Sequence, residues 1–192
     1  QLSGLGVGQV RLLTLEQLQA IQTQDVRMLG SAQVFGLLSE QVVALTSGQV
    51  RALQTLQVGA LGVGQVGVIE TEDLRVFESA QMQALSTMQV KALTTTQLVG
   101  LRSEQMGLFT PAQLSGLGSE QVSGLLSGQL NALQIGQVRA LLPVQVGGLK
   151  GEQLSALDMA RVTALMTGQL QALKPVQIGA LTAQQMEWLE SV

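Results

Sequence analysis

The sequence predicts an all-α solenoid, a stack of very short helices of one to two turns built from 24 octapeptide repeats. Three observations lead there. Written in rows of eight from Gln1, the 192 residues fill 24 rows with no insertion or remainder. The row reads Q-V-x-A-L-x-[ST]-x, with Gln in first place in 21 rows and Asp25, Asp73 and Arg161 in the others. Second place is Val, Leu, Met or Ile, and fifth place is Leu, Ile or Phe, in every row. Such an unbroken frame belongs to a solenoid or lattice, where each unit contacts its neighbours along a line. The chain therefore reads as one continuous array over 1–192, of a kind that can be an excerpt of a longer one.

The helix must restart in every unit. An α-helix advances about 100° per residue, so eight residues leave about 80° of drift and an apolar stripe would spiral around a continuous rod. Coiled coils need periods near 3.5 or 3.67 residues, and eight residues fit neither. The restart signal is plain at Phe109-Thr110-Pro111-Ala112-Gln113-Leu114. Thr110 suits an N-cap, Pro111 the first helical position, and Gln113 closes a capping box, with Phe109 and Leu114 as a hydrophobic staple. Leu93 to Leu98 and Leu45 to Val50 repeat the logic, and Pro143 and Pro175 fall where Pro111 does. Only about half the rows carry Ser, Thr, Asp or Gly at the cap place; in the rest, Ser or Thr one place later is the alternative cap.

Places two and five are three residues apart and share the inner helix face. The repeat core is accordingly assigned to Val50, Leu53, Val90, Leu93, Leu98, Leu101, Leu114 and Leu117. A β-solenoid is the rival: an even period keeps strand faces in register, and Val and Thr are frequent. Against it, places two and five would point to opposite faces of a strand, and Ala and Gly are depleted in strands. Bulky fourth-place residues at Met28, Val68, Leu108 and Trp188 hint at a period of 40, or five units per turn, which Gly148 interrupts.

Composition narrows the function. Charged residues make up 12%, apolar residues 46%, and the only aromatic residues are Phe35, Phe77, Phe109 and Trp188. A net charge of −3 argues against nucleic acid, which calls for clustered Lys and Arg. The basic residues Arg11, Arg27, Arg51, Arg75, Lys91 and Arg139 are scattered singly and read as solvated surface. Uncharged runs such as Ala52 to Ile69 carry Gln and Gly throughout, so no membrane span is expected. No basic-then-apolar leader opens the sequence, so a targeting segment is expected to lie outside it.

Catalytic chemistry has no foothold. With no His or Cys, the many serines lack the usual base, so no enzyme activity is expected. Gly62 to Gly67 matches G-x-G-x-x-G, but a dinucleotide fingerprint needs a preceding strand, a following long helix and a downstream acid, and here the glycines lie within the ordinary octad frame. No cofactor is expected. Glu70, Glu72, Asp73 and Glu78 form the densest acidic cluster; Ca²⁺ ligation is one reading, and acidic residues favoured at helix starts is the preferred one.

The recurring Gln, represented by Gln49, Gln89, Gln97, Gln113 and Gln121, requires its own account. Its amide either closes the capping box locally or forms ladders between stacked units or subunits, and the two are compatible.

The phrase L-[ST]-x-x-Q-[VLI]-x-A-L, which runs through the whole chain, resembles tandem octapeptide arrays in very large bacterial secreted or surface proteins. That resemblance implies an adhesin or matrix component at the cell surface or outside the cell. Leu45 to Leu53 is locally similar to the opening of a TAL-effector repeat, but that family has a repeat of about 34 residues, typical of two-helix units. The functional expectation is a structural protein that self-associates into a fibre, sheath or surface rod, because uncapped apolar repeat ends tend to stack as a homo-polymer. The alternative is a soluble solenoid scaffold that binds a protein or peptide partner.

Overall fold

A computed structural model describes residues 4–191. Every regular element among them is an α-helix and no strand is present, which removes the β-solenoid. The helices run from four to eight residues. They group into two compact units, Gln1–Gly100 and Leu101–Val192, each described by itself.

The first unit carries α1 (Val7–Arg11), α2 (Leu15–Gln19), α3 (Thr23–Val26), α4 (Ser31–Gly36), α5 (Ser39–Ala44), α6 (Ser47–Ala52), α7 (Thr55–Ala60), α8 (Val63–Val68), α9 (Thr71–Arg75), α10 (Ser79–Ala84), α11 (Thr87–Ala92) and α12 (Thr95–Gly100). The second carries α13 (Ser103–Met106), α14 (Pro111–Ser115), α15 (Ser119–Gly124), α16 (Ser127–Asn131), α17 (Ile135–Ala140), α18 (Pro143–Val146), α19 (Gly151–Ser155), α20 (Met159–Val162), α21 (Thr167–Gln171), α22 (Pro175–Ile178) and α23 (Ala183–Glu190).

One octad makes one helix and one corner, as α6 illustrates. Thr46, the sixth place of its row, is extended (φ −71°, ψ 154°) and caps the helix through its side chain. Leu53, the fifth place of the next row, leaves the helical region again (φ −58°, ψ 130°). Its N–H still bonds the Val50 carbonyl at 3.2 Å, which closes the last turn tightly. Two extended residues thus turn each corner. No described residue has a positive φ, so the corner needs no glycine.

In each unit a helix packs on the third helix after it. In the first unit this makes three columns: α1–α4–α7–α10, α2–α5–α8–α11 and α3–α6–α9–α12. In the second, α14–α17–α20 and α15–α18–α21 form columns, α13 packs on α16 and α19 on α22. Three octads therefore make a turn, not the five suggested by the 40-residue spacing. Met28 follows α3 and Val68 ends α8, which belong to different columns.

Places two and five line the inside. Val50, Leu53, Val90, Leu93, Leu98, Leu101, Leu114 and Leu117 are all buried, as are the larger Phe77, Met82, Met106 and Phe109 at the same places. Each buried Val or Leu contributes about 1.5–3 kcal/mol. That burial is what holds helices far shorter than the roughly 12–15 residues an isolated helix needs.

Candidate functional site

The feature that recurs at every turn is the first-place Gln, the third residue of each helix. Each described repeat Gln, from Gln9 to Gln185, accepts at Oε1 the main-chain N–H of the cap residue three positions before it. At Gln49 this distance is 3.0 Å from Thr46, at Gln89 2.7 Å from Ser86, and at Gln97 2.7 Å from Thr94. Gln113 and Gln121 do the same with Thr110 and Gly118, each at 2.7 Å. Where the cap is Ser or Thr, its hydroxyl accepts the Gln N–H in return, as Thr46 does at 3.3 Å and Thr110 at 3.2 Å.

Where the cap place holds another residue, Ser or Thr one place later does not take over. Ser39 and Thr55 are first helical residues of α5 and α7, whose caps, Leu38 and Gln54, make no side-chain bond. The Gln carbonyl alone then holds the helix start, at 2.9 Å from Leu38 N–H and 2.7 Å from Gln54 N–H.

The other half of the amide reaches one turn back. Nε2 of Gln49 donates to the carbonyls of Leu18 at 2.7 Å and Ile21 at 2.8 Å. Gln89 repeats this with Val58 at 2.9 Å and Leu61 at 2.7 Å, and Gln97 with Val66 at 3.0 Å and Ile69 at 2.8 Å. In the second unit Gln145 bonds Leu114 and Leu117, and Gln169 bonds Val138 and Leu141. In these pairs the acceptors are the second- and fifth-place carbonyls, 31 and 28 residues earlier; Gln41, Gln65 and Gln81 also reach the third-place carbonyl between them, and Gln153 bonds the third-place Ser123 with the fifth-place Leu125. These carbonyls lie at helix ends, where the regular helical bonds run out; the second-place carbonyl keeps one local bond, from the fifth-place N–H, and takes the amide as a further donor. The local and inter-turn readings of the Gln are both realised, but the rungs run from amide to main chain rather than from amide to amide.

A capping box accepts Glu as readily as Gln. No row carries Glu in first place, and that was the one sequence signal for the second role. Glu could close the box but has no N–H to send downward.

The three exceptions follow the same chemistry. Arg161 donates from Nε to the Leu133 carbonyl at 2.9 Å, 28 residues back, in place of an amide. Having no acceptor, it relies on the cap residue Asp158, which accepts its main-chain N–H at 2.9 Å and pairs with its guanidinium at 2.9 Å. Asp73 is buried and too short to bridge; it accepts a hydrogen bond from the Ser47 hydroxyl of α6 below it. Asp25 is the third residue of α3, whose cap residue Gln22 makes no side-chain cap bond.

The acidic cluster disperses. Glu70, Glu72 and Glu78 face solvent, Asp73 faces Ser47, and Glu72 pairs with Arg75 at 3.4 Å. Among the described residues no group of three or more acidic residues is arranged to hold a metal ion. The carboxyl of Glu16, in the first turn of α2, is held below the usual range by a main-chain hydrogen bond and by Thr14. No described helix is long and apolar enough to cross a membrane. In the second unit a void of about 10 Å³ lies among Leu157, Leu165, Leu173 and Trp188, space for no more than a water. A shallow groove of about 330 Å³ runs over Ser119, Val144, Gly147, Gly148 and Lys174.

This geometry defines a tandem repeat array of short helices. Residues 18–55 and 66–103 each match the family described as the ALTTAQ repeat, two matches in tandem. Ala92-Leu93-Thr94-Thr95-Thr96-Gln97 spells the family's six letters with one change, Thr96 for Ala, and ends on the bridging Gln. No curated protein matches the chain significantly.

Proposed function

We propose that this chain is a structural module that self-associates into a fibre, sheath or surface rod, such as the stalk of an adhesin, at the cell surface or outside the cell. It acts through shape and repetition rather than catalysis, and its partner is a further copy of itself. One observation carries the reading. Helix after helix meets the same pair of carbonyls in the turn before it with the same Gln amide, as Gln49, Gln57 and Gln65 do in succession. A unit built so can extend indefinitely along one axis without a new kind of contact, which is what a length-forming material requires.

Electron microscopy of the purified full chain in native buffer tests this. Ordered fibres or laterally bundled rods are expected. A monodisperse monomer over a wide concentration range, measured by sedimentation, would refute it.

A further inference from the structure

Stacking three octads per turn sorts residues 24 positions apart onto one face, and the three faces of the first unit differ in character. The column α4–α7–α10 contains no Asp, Glu, Lys or Arg. Its outer surface includes Ser31, Phe35, Thr55, Leu56, Ala80 and Gln83, with Phe35 64% and Leu56 77% exposed. Arg11 ends the column below, on α1.

Charges of opposite sign flank this apolar face. The chain enters it from the ends of α3, α6 and α9, where exposed Arg27, Arg51 and Arg75 stand 24 residues apart. It leaves into the starts of α2 and α5, where exposed Glu16 and Glu40 stand 24 apart, each the second residue of its helix. At the top of this edge Arg75 is paired with Glu72 and exposed Glu78 is the cap residue of α10, so Arg27 and Arg51 carry the basic edge. Three of the basic residues that look scattered along the sequence thus line one edge of a single face.

We infer that this face docks a second copy of the chain, side by side and parallel, with Leu56 and Phe35 at the seam and Arg51 of each copy against Glu40 of the other. The charge pattern selects the direction. A two-fold axis along the stack brings the basic edge of one copy onto the acidic edge of the other at both sides of the seam. A two-fold across the stack would set Arg against Arg and Glu against Glu. Apolar seams with flanking charges specify partner and direction in coiled coils by the same rule. The inference rests on the self-association proposed above and names its surface.

Sedimentation velocity on the full chain tests it, with variants at exposed positions and circular dichroism to check folding. Leu56→Glu is expected to raise the dissociation constant by about ten-fold or more. Glu40→Arg and Arg51→Glu each weaken association, and the two together restore it. Because the chain has no cysteine, Leu56→Cys introduces the only thiol, and mild oxidation is expected to link it to its counterpart. If the folded Leu56→Glu variant associates like the parent, this face is not the interface, although the self-association reading stands. Failure of the double reversal to restore association overturns the parallel arrangement. If the parent never associates, both readings fall.

Discussion

Replacing Gln89 by Glu exchanges one NH₂ for an oxygen and keeps the shape. In the parent, the buried Gln89 amide accepts from Ser86 N–H at 2.7 Å and donates to Val58 and Leu61 carbonyls at 2.9 and 2.7 Å. The variant keeps the first bond and loses both donations. The Val58 carbonyl keeps its bond from Leu61 N–H, but it and the Leu61 carbonyl now face a buried carboxylate; the lost donations and the buried charge together are expected to cost about 3–5 kcal/mol at neutral pH. Gln89→Met removes all three bonds without adding charge and costs about 2–4 kcal/mol. The two variants separate by pH. Burial beside two carbonyls raises the introduced carboxyl above its unfolded value of about 4.3. The protonated form donates one bond, so the variant's stability relative to the parent is best at acid pH and falls as pH rises through the raised value. The Met variant's deficit stays flat with pH. Urea titrations followed by far-UV circular dichroism, parent and variants at each pH, read both effects. A Glu variant within about 0.5 kcal/mol of the parent at neutral pH would refute the bridging role, since that is the range of an ordinary surface substitution.

Four further outcomes are expected. Asp158→Ala removes the cap and ion partner of Arg161 and should cost about 0.5–2 kcal/mol; in an Arg161→Gln background the cost should shrink, and a double-mutant cycle by thermal melting measures the difference. Asp73→Gln should stabilise the first unit by about 1 kcal/mol, because an amide there can reach the Val42 and Leu45 carbonyls, 31 and 28 residues back; a lower urea midpoint would contradict this. Gly147→Ala should destabilise by about 1–3 kcal/mol, since its Cβ would stand 2.7 Å from the Ala172 carbonyl oxygen. Gly64→Ala, in the helix α8 with nothing within 4 Å of the new Cβ, should instead stabilise by about 1 kcal/mol; the paired melting temperatures check both signs.

Much of the local structure was legible. The octad frame, the inner pair exemplified by Val50 and Leu53, and the start of a helix at Pro111 all follow from helical periodicity and end chemistry, which act within a few residues. What escaped were quantities that depend on the angle turned at each corner. Nothing in Leu53-Gln54 announces that three helices close a turn. The 40-residue recurrence of bulky fourth-place residues pointed to five. Without the number three, a spacing of 24 has no meaning, and Arg27, Arg51 and Arg75 look unrelated. The same ignorance hid the downward half of Gln49, whose acceptors Leu18 and Ile21 become neighbours only when the turn closes.

The inter-turn bond also has a direction in time. In the repeat-Gln bond the donor is the later residue and its acceptors lie 28 and 31 positions earlier, as with Gln57 on Leu29 and Val26. A chain emerging from the ribosome has therefore already laid down both carbonyls when each new amide appears, and every turn can settle on one that is finished. The two kinds of truncation differ accordingly. Cutting after any turn removes the cover but leaves every amide below it with its acceptors. Cutting before one strands the amides of the turn above, so such an array tolerates loss from its growing end better than loss from its base.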